Sequence, residues 1–108
     1  TLNPDKWSIY TGAVLSGGDS DSNWNIWTAL FNGATSRFWH NGVAECAVGN
    51  AGAHTPDGIT IGDRGLGAQP WDGDIAEIII YEANLSDADK NQVNQYLASR
   101  YALAYTDI

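Results

Sequence analysis

Two Asn-Gly pairs nine residues apart, Asn32-Gly33 and Asn41-Gly42, constrain the fold of this chain more than any other feature. Asn-Gly accepts positive φ at both central positions of a two-residue turn, and such a turn has the twist that paired strands need. Between the pairs lies Ser36–His40, short and aromatic. Trp24–Phe31 precedes them and Val43–Val48 follows. The spacing predicts an antiparallel meander with strands at about 24–31, 36–40 and 43–48. Alternation puts Trp27, Ala29 and Phe31 on one side of the first strand and Ile26, Thr28 and Leu30 on the other.

The flanking segments divide by composition. Leu2–Lys6 is a turn-rich opening stretch. Trp7–Leu15, rich in aromatic and branched residues, reads as a strand over 7–15 with a bulge at Gly12. Ser16–Asn23 is Gly, Ser and Asp, a loop. After polar Gly49–Asp57 comes a short strand, GITIG, at 58–62, then a second loop over Asp63–Pro70. Asp74–Tyr81 (DIAEIIIY) is apolar on both alternating faces and is expected as a central strand, 74–81, covered on both sides. The period then changes. Ser86 is a helix N-cap with Asp89 three residues on, and Asp87 and Asp89 suit the positive end of the helix dipole. Val93, Tyr96, Leu97, Arg100 and Tyr101 form one stripe, with Lys90, Asn91, Asn94 and Gln95 assigned to water, so a helix is predicted over about 87–101.

A chain of 108 residues and 11.6 kDa is one domain, 1–108. Five basic against thirteen acidic residues give a net charge of −8. Phosphate neutralisation needs clustered Lys and Arg, so nucleic acid is excluded as a partner, and anionic membrane surfaces with it. No apolar run approaches the about 20 residues of a membrane span, so no membrane insertion is expected. Cys46 is alone and makes no internal disulfide. The chain has no Met, even at position 1, and reads as a processed chain, an excised domain or part of a longer protein.

Six strands and one closing helix define an all-β class, an antiparallel β-sandwich with one C-terminal α-helix. One helix covers only part of a six-stranded sheet, so some apolar surface needs another cover. Trp71–Leu103, WDGDIAEIIIYEANLSDADKNQVNQYLASRYAL, carries a bulky residue and Gly before a strand (Trp71, Gly73). Ile75, Glu77, Ile79 and Tyr81 follow, then Leu85-Ser86 and a helix with Tyr96, Leu97 and Tyr101. This stretch resembles the end of laminin G-like and pentraxin-like jelly-roll domains of the concanavalin A-like lectin/glucanase superfamily. Upstream, TALFNGATSRFWHNGVAE looks like that family's central meander and GITIG like its short late strand. The resemblance covers about residues 7–103 and implies a jelly roll. Complete members are usually larger, so it also implies an incomplete one, the C-terminal portion. Other chains, or a missing N-terminal part of the same protein, would then supply the remaining strands.

Glucanase relatives need two carboxylates sharing one face, about 5–5.5 Å apart in retaining enzymes. Asp74 and Glu77 are three apart and fall on opposite faces of a strand, so the pair is missing and the chain is read as no enzyme. His40 and His54 have no motif around them. Glu77, alone on an apolar face, reads first as a structural carboxylate bonded to backbone or Arg. Asp19, Asp21 and Asn23 give D-x-D-x-N, an oxygen set that could converge on Ca²⁺, although Trp24 and Leu30 break the EF-hand pattern. No cofactor is required, and Ca²⁺ is the one the loop could take.

Lectin sites stack a sugar's C–H face on an aromatic ring beside polar groups. Trp24 and Trp71 flank polar loops, while Trp39 and His40 sit beside the Asn41-Gly42 turn. The candidate ligand residues are therefore Trp24, Trp39, His40, Asn41, Trp71 and Asp72, with Trp27 assigned to the core. The expected function is a non-catalytic recognition or adhesion module, extracellular or on a cell or virion surface, that binds a glycan or a protein surface through its loop rim. The alternative is a structural, decoration or fibre-associated domain of a virion or large extracellular complex. A glycoside hydrolase relative comes third.

Overall fold

The computed structural model describes residues 5–55, 57–62 and 70–108. Residues 2–4 of the expected opening stretch over 2–6, and 63–69 of the expected loop over 63–70, lie outside the described residues. Strand β1 is Lys6–Tyr10, β2 Val14–Asp19, β3 Trp27–Leu30, β4 Arg37–His40 and β5 Val43–Ala44. A 3-10 turn, Gly33–Thr35, joins β3 to β4, and helix α1 is Asp87–Tyr101. The strands form two small antiparallel sheets, β1-β2 and β3-β4-β5.

The meander follows from its turns. Asn41 and Gly42 take φ of 51° and 85°, the two positive values of a type I′ turn, and His40 pairs with Val43 across it. At the other end Asn32 has φ −144° and only Gly33 is positive, at 56°, so the 3-10 turn replaces the expected two-residue turn. Ser36 Oγ donates to Gly33 O while accepting from Asn32 N, so this buried hydroxyl is satisfied. The register Trp27↔His40 and Ala29↔Phe38 puts those four side chains on one face. Thr28↔Trp39 and Leu30↔Arg37 occupy the other.

The expected strand over 7–15 is instead a hairpin, and its second arm runs on to Asp19 through residues that read as loop. Gly12, at φ 118°, makes a reversal where a bulge was expected. The reversal is anchored from outside: Thr11 N and Ala13 N both donate to Ala51 O. Gly17 and Gly18 interrupt β2 chemically but are what its position demands. A Cβ at Gly17 would come within 2.9 Å of Phe38 Cζ, so only glycine lets β2 lie this close to the meander.

α1 forms as expected. Ser86 Oγ accepts from Asp89 N, and Ala102, in the left-handed region, ends the helix with Leu103 N donating to Ala98 O. The face it buries is only partly the one expected: Val93, Leu97 and Tyr101 are half-buried, but Tyr96 and Arg100 are exposed. Asn94, assigned to water, is buried, and its amide donates to Thr28 Oγ1 at 2.7 Å and Tyr105 Oη at 3.1 Å. Lys90 lies 5.1 Å from the Trp39 ring centroid, while Tyr96 is exposed. The sheet offers the helix a hydroxyl and an electron-rich indole, so an amide and an ammonium share the buried face with Leu97. Hairpin, meander and helix thus form three layers.

GITIG and Asp74–Tyr81 are not strands. Both have strong strand propensity, but a strand exists only against a partner, and among the described residues the one backbone bond to either segment is from Trp71 N to Gly62 O at 2.7 Å. The expected strand over Val43–Val48 contracts to Val43–Ala44, with Glu45 N still donating to Phe38 O at 3.0 Å. The expected antiparallel strands and single C-terminal helix are present: among the described residues, five strands form two antiparallel sheets and the chain closes with α1. Among the described residues, no helix is long and apolar enough to cross a membrane.

Candidate functional site

The face of the meander turned to the hairpin carries a run of aromatic rings. Trp27 and His40, opposite each other in the register, stack with centroids 4.5 Å apart and planes 10° apart. Trp7 of β1 reaches across to Trp27 at 4.4 Å, and Trp71 stacks on Trp7 at 6.2 Å. Phe38 closes the floor, 6.0 Å from Trp27. Trp7, Ile9, Trp27, Ala29, Phe38 and Trp71 line an apolar groove of about 220 Å³. Trp71, 49% exposed, stands at its mouth, and exposed Asp72 follows it in the chain.

A polar network closes the groove's His40 end. Nε2 of His40 donates to Asn25 Oδ1 at 2.7 Å. The Asn25 amide is oriented from its other side, where Nδ2 donates to Asp21 Oδ1 at 2.8 Å. Asn41 completes the tie: its Nδ2 donates to Asn25 Oδ1, and its Oδ1 accepts from Ile26 N. Glu45 Oε2 lies 3.5 Å from His40 Nδ1, while Oε1 accepts from Gly18 N at 2.7 Å. One carboxylate therefore links the hairpin to the meander through His40's far nitrogen.

The Asn23 backbone N–H first, and then the Asn25 amide, hold the Asp21 carboxyl below its ordinary 3.8. A carboxyl with a depressed folded-state pKa stabilises the fold above its unfolded pKa, and that contribution disappears as pH falls through the folded value. Carboxyl-carbon NMR is expected to show Asp21 titrating below 3.8, with the amide signals of the 21–25 loop shifting in the same acid range. Titration of Asp21 at or above 3.8 in the folded chain would contradict the network.

The ligand candidates separate. Trp71 lines the groove and His40 stacks on its wall residue Trp27, while Asp72 is exposed beside Trp71 in the chain and is not part of the lining. Trp39 does not: it is 5% exposed on the opposite face, with Arg37 and Lys90 against its ring, and is a core residue. Parity explains the correction, since Trp39 and His40 are neighbours on a strand and must point to opposite faces. Asn41 is spent on backbone and Asn25, a positioning role. Trp24 is 56% exposed on the loop before β3, outside the groove lining.

The D-x-D-x-N oxygens take separate partners rather than converging. Asp19 pairs with Lys6, Asp21 accepts from Asn23 N and Asn25, and Asn23 O accepts from Asn25 Nδ2. Among the described residues no three acidic, His or Cys groups assemble as a metal site. Glu77 is held by Tyr101 Oη at 3.1 Å, Tyr96 Oη at 3.3 Å and Arg100 Nε at 3.4 Å, a structural carboxylate.

Trp7, Asn25 and Glu45 were not singled out as site residues by the sequence, and Trp27, expected in the core, is half-buried in the groove wall. The parity of Trp7 with Ile9 was the available signal for the groove wall. Nothing local marks Asn25 or Glu45, whose partners lie across the fold. Compared with protein-family models, curated proteins and solved structures, the chain matches none of them.

Proposed function

We propose that this chain is a non-catalytic recognition module whose aromatic groove binds a glycan. The observation that carries the reading is the open groove walled by Trp7, Trp27 and Trp71, with the His40–Asn25 pair beside Trp27 at its end. Indole faces suit the C–H face of a pyranose, and flanking polar groups suit its hydroxyls. The two sheets are read here as part of a concanavalin A-like jelly roll, in keeping with the resemblance over the final third of the sequence.

The test is binding on a glycan array by the full chain and by Trp71→Ala. Trp71 is half-exposed, so truncation leaves the core intact. Losing one stacking face is expected to weaken binding by about tenfold, the equivalent of about 1.4 kcal/mol. A Trp71→Ala chain that binds as the wild type does, or a wild type that binds no glycan, would end this reading.

A further inference from the structure

Ile75–Tyr81 is the least satisfied part of the described chain. Ile75, Ile78, Ile79, Ile80 and Tyr81 are each between 40% and 62% exposed. No backbone N–H or C=O of this segment pairs with another backbone group. Ile75, Ala76 and Ile78 share an open groove with Ile61. A segment of this composition with free ladder groups on its edges is a template for another strand.

The segment is anchored. Glu77 is fixed by Arg100, Tyr96 and Tyr101 of α1 at its centre, so part of the ordering cost of pairing is already met. The same contacts occupy the one charge within it. The charges left open are Asp72 and Asp74 at one end and Glu82 at the other, all exposed.

These charges select the occupant. In a second copy paired antiparallel about Ile78, Asp74 would face Glu82 at both ends, and like charges directly opposite destabilise a ladder. The net charge of −8 on each copy adds to that repulsion. A strand with an apolar centre and Lys or Arg at its ends converts both contacts to attraction.

We propose that Ile75–Tyr81 is an acceptor for a β-strand of a partner polypeptide, apolar at its centre and basic at its ends. The surface is separate from the aromatic groove, and neither reading depends on the other.

The probes are two synthetic nonapeptides, Lys-Thr-Val-Thr-Val-Thr-Val-Thr-Lys and its twin with Glu at both ends. Hydrogen exchange of the full chain reads the amides of Ile75–Tyr81. The Lys-ended peptide is expected to slow their exchange and to bind at least about tenfold more tightly than its twin at low salt. Asp74→Lys with Glu82→Lys, at exposed positions, is expected to reverse that preference. Ile79→Pro removes a ladder N–H and is expected to abolish protection, with the helical circular dichroism of α1 unchanged. Four results would each overturn the proposal: amides already protected in the dilute chain, protection that rises with protein concentration alone, binding of neither peptide, or equal binding of both. The second of these assigns the surface to self-association.

Discussion

Replacing Gly42 with alanine is expected to be among the most damaging single changes to this chain, lowering stability by about 2–4 kcal/mol. Two costs fall on one atom. The residue sits at φ 85°, where an L side chain is strained. A Cβ there would also overlap the backbone carbonyl of Thr106 and come within 2.8 Å of the Tyr105 ring. The tail cannot simply move away, because Thr106 N donates to Asn41 O at 2.9 Å and Tyr105 Oη donates to Asn91 Oδ1 at 2.7 Å. In a domain of this size each kcal/mol shifts the melting temperature by about 4–8 °C. Gly33→Ala is the internal control. It also has positive φ, 56°, but nothing lies within 4 Å of its added Cβ, so only the backbone strain of about 1 kcal/mol remains. Equal melting temperatures for the two variants would remove the tail contact from the explanation.

Trp39→Ala is the second large effect, expected at about 3–5 kcal/mol. The indole is 5% exposed between the meander and α1, so its removal leaves a cavity where two layers meet. It also strips the ring from under Arg37 and Lys90, whose charged groups lie 5.6 Å and 5.1 Å from its centroid. Small domains hold only about 5–15 kcal/mol in total, so this variant approaches the unfolding threshold. The denaturant midpoint measures it. A variant of normal stability that had lost glycan binding would return Trp39 to the ligand residues.

The contrast between these two positions shows where sequence reading works. The Asn41-Gly42 turn was legible because its signal is intrinsic to two adjacent residues. That Gly42 also admits the C-terminal tail was not legible, because Thr106 lies sixty-four positions away. The span of α1 was legible from Ser86, Asp87 and Asp89, all local capping chemistry. The face it buries was legible only in part, because Asn94 turns inward only where Thr28 and Tyr105 wait for it. The aromatic groove was legible in part. Trp71 could be placed at a loop rim, but Trp7 joins the site only because the reversal at Gly12 and the small Gly17 allow the hairpin to lie on the meander.

The sequence by itself determined the Asn41-Gly42 turn, the Ser86 cap and the alternation of faces in the meander, since these depend on dihedral preferences and on bonds spanning a few residues. Only the tertiary structure decided which segments became ladders. Asp74–Tyr81 has the strongest strand composition in the chain and stays unpaired, whereas Gly-rich Val14–Asp19 is a strand. The reason is that a strand's hydrogen bonds belong to its neighbour, and a neighbour is a property of the fold rather than of the segment.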